Sequence, residues 1–217
     1  MTIRRFRLPV ACLLACVGVA LVSDGARAEG FIDVRLGAAM TESGTLEVGG
    51  GGGGTRRRVA FDDSFSTGVR GGYWIDPLPW LGLALDASYF NPDEASGVAP
   101  LDLHVVPLSA LLMLRLPLLG DDVCPNGRIQ PYGAIGPGLF LTIAEESSTD
   151  FVAASADVGL DVRGGVNIQI LRWLAVFAEY RYTRYEAGLD DDVLGIPVDF
   201  KVDFDTHHIG GGVGFHF

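Results

Sequence analysis

Between residues 157 and 170 the sequence alternates with a period of two. Val158, Leu160, Val162, Val166, Ile168 and Ile170 occupy even positions, and Asp157, Asp161, Arg163, Asn167 and Gln169 odd ones. In an extended strand that spacing puts apolar and polar side chains on opposite faces. The stretch is also as long as a tilted crossing of a bilayer requires, about 9–11 residues. Strands of soluble sandwiches are usually about half that length. One repeated pattern of this kind restricts the chain to very few architectures.

The pattern recurs. Ile32, Val34, Leu36, Ala38 and Met40 oppose Asp33, Arg35 and Gly37. Thr67, Val69, Tyr73 and Ile75 oppose Ser66, Gly68, Arg70 and Gly72, and Leu81, Leu83, Leu85, Ala87 and Tyr89 oppose Gly82, Ala84, Asp86 and Ser88. Leu174, Val176, Ala178, Tyr180 and Tyr182 oppose Glu179, Arg181 and Thr183. Near 206–217, Ile209, Val213, Phe215 and Phe217 oppose His208, Gly210, Gly212, Gly214 and His216. Two segments are less regular. In 103–116, Leu108, Ala110, Leu112, Leu114 and Leu116 share one face while Leu111 and Met113 lie on the other, and Pro107 predicts a bulge or a shift of register. In 129–143, Ile135, Pro137, Leu139 and Leu141 oppose Tyr132, Ala134, Gly136 and Gly138. The total is eight strands, an even number, as closure of a bacterial barrel requires. By parity Trp74 and Trp80 point inward; with Trp173 they lie at the short-turn end, where an aromatic belt belongs.

Composition removes the alternatives. Hydrophobic residues make up 48% and charged ones 20%, mean hydropathy is +0.30, and glycine accounts for 30 of 217 residues, which excludes long helices and disorder. After the first 28 residues the longest stretch without Asp, Glu, Lys or Arg is 129–144, interrupted by Pro131, Pro137, Gly133, Gly136 and Gly138, so helical membrane spans are excluded. The net charge of −11 excludes a nucleic-acid partner, which needs a basic face.

The first 28 residues read as an export signal. Arg4, Arg5 and Arg7 precede an uncharged apolar run from Leu8 to Val22, and Ala26-Arg27-Ala28 forms a small-residue cleavage site. Cleavage after Ala28 predicts a barrel domain over 29–217; a lipidated Cys16 within Leu13-Leu14-Ala15-Cys16 is the alternative. The signal takes four Arg and one Asp with it, so the charge moves from −11 to −14. Cys124 then stands alone and no internal disulfide can form. The connections 41–64, 91–101, 144–155 and 186–205 are long and polar; 76–79 and 171–172 are short, and 117–127 is intermediate. Long and short alternate, which predicts outer loops, periplasmic turns and both termini on the periplasmic side.

Three segments carry a resemblance: Pro131-Tyr132-Gly133-Ala134-Ile135-Gly136, Phe177-Ala178-Glu179-Tyr180-Arg181-Tyr182, and His208 through Phe217. With the eight-strand pattern, they resemble the OmpA-like and opacity-protein-like outer-membrane barrels over nearly all of residues 29–217. The resemblance implies an all-β, eight-stranded antiparallel up-and-down transmembrane β-barrel in the cell outer membrane, in contact with outer-membrane lipids and lipopolysaccharide. It also implies that Ile209, Val213, Phe215 and Phe217 form the signal read by the barrel-assembly machinery, Gly211 departing from that pattern. The peptidoglycan-binding domain that some OmpA proteins add is not expected, since the sequence ends with the last strand.

Inward positions carry Arg35, Arg70, Arg115, Arg163 and Arg181 together with Asp33, Asp86, Asp157, Asp161 and Glu179. An eight-stranded barrel is only wide enough to be filled by side chains, and buried charges must pair. A packed ionic lumen is therefore expected, with a narrow gated pore as the alternative. The acidic stretch Glu186, Asp190, Asp191, Asp192, Asp199, Asp203 and Asp205 lacks calcium-loop spacing and reads as solvated surface. The run Gly49–Gly54 reads as a flexible tether rather than a nucleotide loop, because no βαβ unit surrounds it. Arg56, Arg57 and Arg58 read as solvated charges, or as lipopolysaccharide phosphate contacts. His207 and His208 read as rim contacts beside Thr206 and Asp205. No His-x-Ser pair and no Cys/His metal spacing occurs, so neither a catalytic site nor a metal or other cofactor is expected. The function classes, in order, are a surface-interaction barrel acting through its extracellular loops, a small-solute pore, and a lipid-A-modifying enzyme.

Overall fold

The structure is a computed structural model, and it describes residues 29–42, 44–49, 55–59, 62–92, 101–146, 151–193 and 196–217. The export segment 1–28, with Cys16, Ala26 and Ala28, and the glycine stretch 50–54 lie outside the described residues.

Ten strand segments form one antiparallel sheet: β1 (Glu29–Thr41), β2 (Gly44–Gly49), β3 (Thr55–Val59), β4 (Ser64–Ile75), β5 (Leu78–Phe90), β6 (Leu101–Arg115), β7 (Ile129–Glu146), β8 (Phe151–Leu171), β9 (Leu174–Val193) and β10 (Ile196–His216). The sheet closes where β1 pairs with β10, from Phe31↔His216 to Thr41↔Thr206. The result is a closed eight-stranded antiparallel barrel, with no helix among the described residues. The ten segments make eight staves because β2 prolongs β1 and β3 leads into β4. The β2–β3 pairs, such as Gly44↔Val59, keep the register that β1 and β4 set at Ala39↔Ser64.

The described parts of three long outer connections, 41–64, 144–155 and 186–205, are therefore largely strand, which alternation within the crossings alone did not reveal. β9 and β10 pair as far as Ile196↔Val193, and β7 and β8 as far as Glu146↔Phe151. Pairing continues past the membrane because a hairpin satisfies its own backbone groups whether or not lipid surrounds it. The polarity of the faces reverses there. In the crossing, Ile209 and Val213 of β10 are exposed and His208 is buried; above it, Phe204 is buried and Asp203 exposed. The outer rim is thus patterned like a water-soluble barrel and the middle like a lipid-soluble one.

Pro107 produces no register shift. β6 holds one register with β7 from Leu101↔Glu146 to Arg115↔Tyr132, and the β5–β6 pairs omit only the rungs between Ala87↔Leu108 and Phe90↔Val105. A missing N–H removes rungs on one side without inserting a residue. The shifts lie instead at the periplasmic turns, at Trp74/Ile75 and Gln169/Leu171. Trp80, inward by parity, is exposed in the irregular stretch beside the first, whereas Trp74 is buried in the lumen. Tyr73, Trp173, Phe215 and Phe217 mark the periplasmic rim of the outer wall. Near the opposite rim, Tyr89 shares a hydrogen bond with His104 (2.7 Å) and Tyr180 one with His207 (2.6 Å).

Candidate functional site

Among the described residues, charges, histidines and aromatic rings from the staves converge in the barrel interior. Strand register builds its centre. One row runs Asp33↔Arg70↔Asp86↔Ser109 across β1, β4, β5 and β6, so charges alternate between neighbouring staves. Such cross-strand opposite-charge neighbours stabilise a sheet, and like charges directly opposite destabilise it. Arg163 and Arg181 are directly opposite each other on β8 and β9. Their repulsion is offset by Asp161, whose Oδ2 accepts from Arg163 Nη2 (2.8 Å) and Arg181 Nη2 (2.7 Å).

Four guanidinium groups and four carboxylates interlock. Arg70 donates through Nη2 to Asp33 (2.7 Å) and through Nη1 to Glu179 (2.5 Å). Arg35 donates to Glu179 (2.7 Å) and lies 3.6 Å from Asp86. Arg163 reaches Asp86 (2.7 Å), and Arg181 lies 3.9 Å from the same carboxylate. All eight are buried. Bidentate, charge-assisted bonds of this kind offset the cost of removing ions from water.

Tyr132 joins the cluster from β7 by donating to Glu179 (2.7 Å). Its path crosses Gly165, which the register sets between Tyr132 and Glu179. A Cβ at Gly165 would lie 2.7 Å from the Tyr132 ring and 2.5 Å from the Ala178 carbonyl oxygen. Only glycine leaves that passage open.

Two apolar layers enclose the ionic one. On the periplasmic side are Phe31, Trp74, Ala84, Leu111, Met113, Tyr132 and Ala134. They border a cavity of about 20 Å³, room for roughly one water. On the outer side are Ala39, Phe90, Leu103, Val105, Phe140, Tyr185 and Phe204. Phe140 stacks on Tyr185 at 4.2 Å between centroids, and Tyr185 on Phe204 at 5.0 Å. Between this layer and the ions lie the pair Thr41–Thr206 and His208, set edge-on against Phe90 at 5.0 Å.

The inward residues expected from parity separate into groups. Asp33, Arg35, Arg70, Asp86, Asp161, Arg163, Glu179 and Arg181 form the centre. Arg115 stands apart at the periplasmic mouth, stacked over Trp74 at 4.2 Å and bonded to Glu29 (2.5 Å). Glu29 also accepts from Asn126 (2.8 Å) and shares a hydrogen bond with His216 (2.8 Å). Asp157 is half-buried farther out on β8, paired with Phe140 in the ladder. His207 behaves as a rim residue, contacting Glu42 at 3.1 Å, but His208 is buried in the lumen because its odd-numbered neighbours hold the outer face. Ile209, Val213, Phe215 and Phe217 are all exposed on the outer wall.

Sequence reasoning put Tyr132 on the inner face without joining it to the charges, and missed Glu29 and the outer aromatic layer as members of the lumen. A signal for the last existed. Val198, Phe200, Val202 and Phe204 alternate with Asp199, Lys201, Asp203 and Asp205 in the phase opposite to that of Ile209 onward.

Comparison with known proteins places this arrangement. The family model described as an outer membrane protein beta-barrel domain matches residues 10–217. Neisserial surface protein A is similar in structure at 18% identity and a TM-score of 0.52, covering 86% of this chain and 97% of that one. The outer membrane protein OprG from Pseudomonas aeruginosa is similar at 18% identity and a TM-score of 0.66, covering 88% and 97%. At that identity the two likenesses establish the fold. None of the curated proteins matches the sequence.

Proposed function

This chain belongs to the outer membrane protein beta-barrel domain family, and on that premise we propose that it is a sealed barrel whose work is done by its outer hairpins. It resides in the outer membrane with both barrel termini on the periplasmic side, its wall in contact with membrane lipid and lipopolysaccharide. The observation that carries the proposal is the filled lumen: a path along the axis meets apolar, ionic and aromatic layers in turn. What the barrel offers its surroundings is then the hairpins β2–β3, β7–β8 and β9–β10, which rise beyond the outer rim on their own ladders. Rigid hairpins suit recognition of an external surface, because little ordering entropy is lost on contact.

Residues 1–28 act in this reading as an export signal cleaved after Ala28. Ile209, Val213, Phe215 and Phe217 present the assembly machinery with an apolar row ending in Phe217. No catalytic role is assigned: among the described residues His104 and His207 bond tyrosines and His216 bonds Glu29.

A second reading, a narrow gated pore, draws on one feature. Arg35 Nε and Nη2, Arg181 Nε, Ser66 Oγ and His208 Nδ1 are buried without a protein partner and lie toward the outer side of the ionic layer. A solute passing there would find donors. Conductance of the purified protein in planar bilayers separates the readings. The sealed barrel gives no stable open state, whereas a steady large conductance replaces it with the pore. Exchange of the 186–205 hairpin for that of an unrelated barrel abolishes adhesion to the target surface in the first reading and leaves it unchanged in the second. Lipid A of unchanged mass in cells with and without the protein is expected in both.

A further inference from the structure

The connection between β6 and β7 is built unlike the other two periplasmic turns. Asp76–Pro77 and Arg172–Trp173 merely reverse the chain. Residues 116–128 form an ordered loop held by its own contacts. Leu118 pairs with Ile129 across a bridge. Asp121 accepts from the backbone N–H of Val123 (3.0 Å) and Cys124 (2.7 Å) and from the Arg128 guanidinium (2.6 Å). Gln130 donates to the carbonyls of Asn126 (3.1 Å) and Gly127 (2.8 Å).

This rigid frame holds greasy side chains out. Leu116, Leu118, Leu119 and Val123 are all exposed, Leu119 at 70%. Leu119 also has φ of 54°, the left-handed region that a leucine rarely occupies. A loop that only had to turn there would carry glycine or asparagine. The neighbouring β8–β9 turn adds exposed Leu171 and Trp173, and Arg172 donates to the Asp122 carbonyl (3.4 Å), tying the two turns together.

We propose that these two turns form an apolar foot inserted into the periplasmic leaflet, its occupant being phospholipid at the boundary between headgroups and acyl chains. Two arguments select lipid. The patch is continuous with the lipid-facing wall, since Leu112, Leu114 and Leu116 lead straight into Leu118. Its composition also fits that boundary: leucines and a tryptophan among Asp121, Asp122, Arg128 and Arg172, an amphipathic set that settles at headgroup depth. A patch of this kind facing water would be an association liability. The foot anchors the barrel on its inner side independently of what the outer hairpins bind.

The test places an environment-sensitive fluorophore on Leu119→Cys, in a Cys124→Ala background, with Pro125→Cys as the reference. Each protein is refolded into phosphatidylcholine vesicles, with or without bromine on the acyl chains, and folding is checked by heat-modifiable gel migration. Bromolipid is expected to quench position 119 about threefold more than position 125, with aqueous iodide showing the reverse order. Leu119→Cys with the buried Cys124 left in place, labelled after folding, repeats the measurement should the double variant not fold. Quenching of position 119 by iodide alone puts the patch in water and overturns the proposal. Shelter from both quenchers puts a second copy of this chain over it and overturns it equally.

Discussion

Arg163 is the residue on which most of the central ionic cluster depends. It satisfies Asp86 and Asp161 at once and stands 3.5 Å from Glu179. Replacing one member of such a cluster leaves the others charged and unpaired in a medium that solvates them poorly. Arg163→Met is therefore expected to cost about 3–5 kcal/mol, measured by urea unfolding in vesicles. An unchanged midpoint means that water already screens the layer. Asp121 gives a different prediction because it lies in a periplasmic turn, outside the strands that cross the membrane. The Arg128 guanidinium, and after it the N–H groups of Cys124 and Val123, hold its carboxyl below the ordinary value. A carboxyl lowered in the folded state contributes fully above the ordinary carboxylate value, and its contribution is lost as pH falls through the lower folded one. Protection of the Cys124 amide from hydrogen exchange, taken relative to its intrinsic rate at each pH, should fall over that acidic interval, and Asp121→Asn should remove that fall.

At the scale of the element, alternation locates the staves, and cross-strand register decides which side chains meet. Tyr132, Gly165 and Glu179 are distant in sequence and adjacent in the sheet. Gly165→Ala forces either the Tyr132 ring or the β9 backbone to move, at an expected cost of about 1–3 kcal/mol. Tyr132→Phe removes the hydroxyl's bond to Glu179 and the longer one it accepts from Arg70 (3.4 Å), and about 1 kcal/mol with them. The two substitutions should be less than additive in the double variant, because both act on one contact. Pro107 and Trp80 teach the same lesson in reverse. Local pattern predicts a bulge or a shift of register at Pro107, which does not occur, and an inward Trp80, which is exposed beside the break at Trp74/Ile75.

For the whole molecule, closure through the β1–β10 ladder ties the two ends of the barrel together, so staves should not peel off one at a time. Unfolding is expected to be a single cooperative transition, with unboiled protein running faster than boiled on a detergent gel. Equal mobility in both states would mean an open sheet. Closure also sets the interior volume, and eight staves leave space for side chains rather than for solvent. The outer hairpins stand clear of this constraint. Trimming 187–202 should leave gel mobility and the transition unchanged while removing the surface that the proposed function relies on.

The eight crossings, the face each presents to lipid and the side on which the termini lie are legible in the amino-acid sequence. These follow from a two-residue period, and that period is local. Tertiary structure decided the pairing: that Arg115 serves Glu29 at the mouth and not the central cluster, that His208 sits beneath an aromatic layer, and that the hairpins carry the sheet beyond the membrane. Such contacts depend on the stagger between staves and on side-chain reach across the lumen. Both arise only when the sheet curls shut and brings residues more than a hundred positions apart within bonding distance, as Arg35 and Glu179 are.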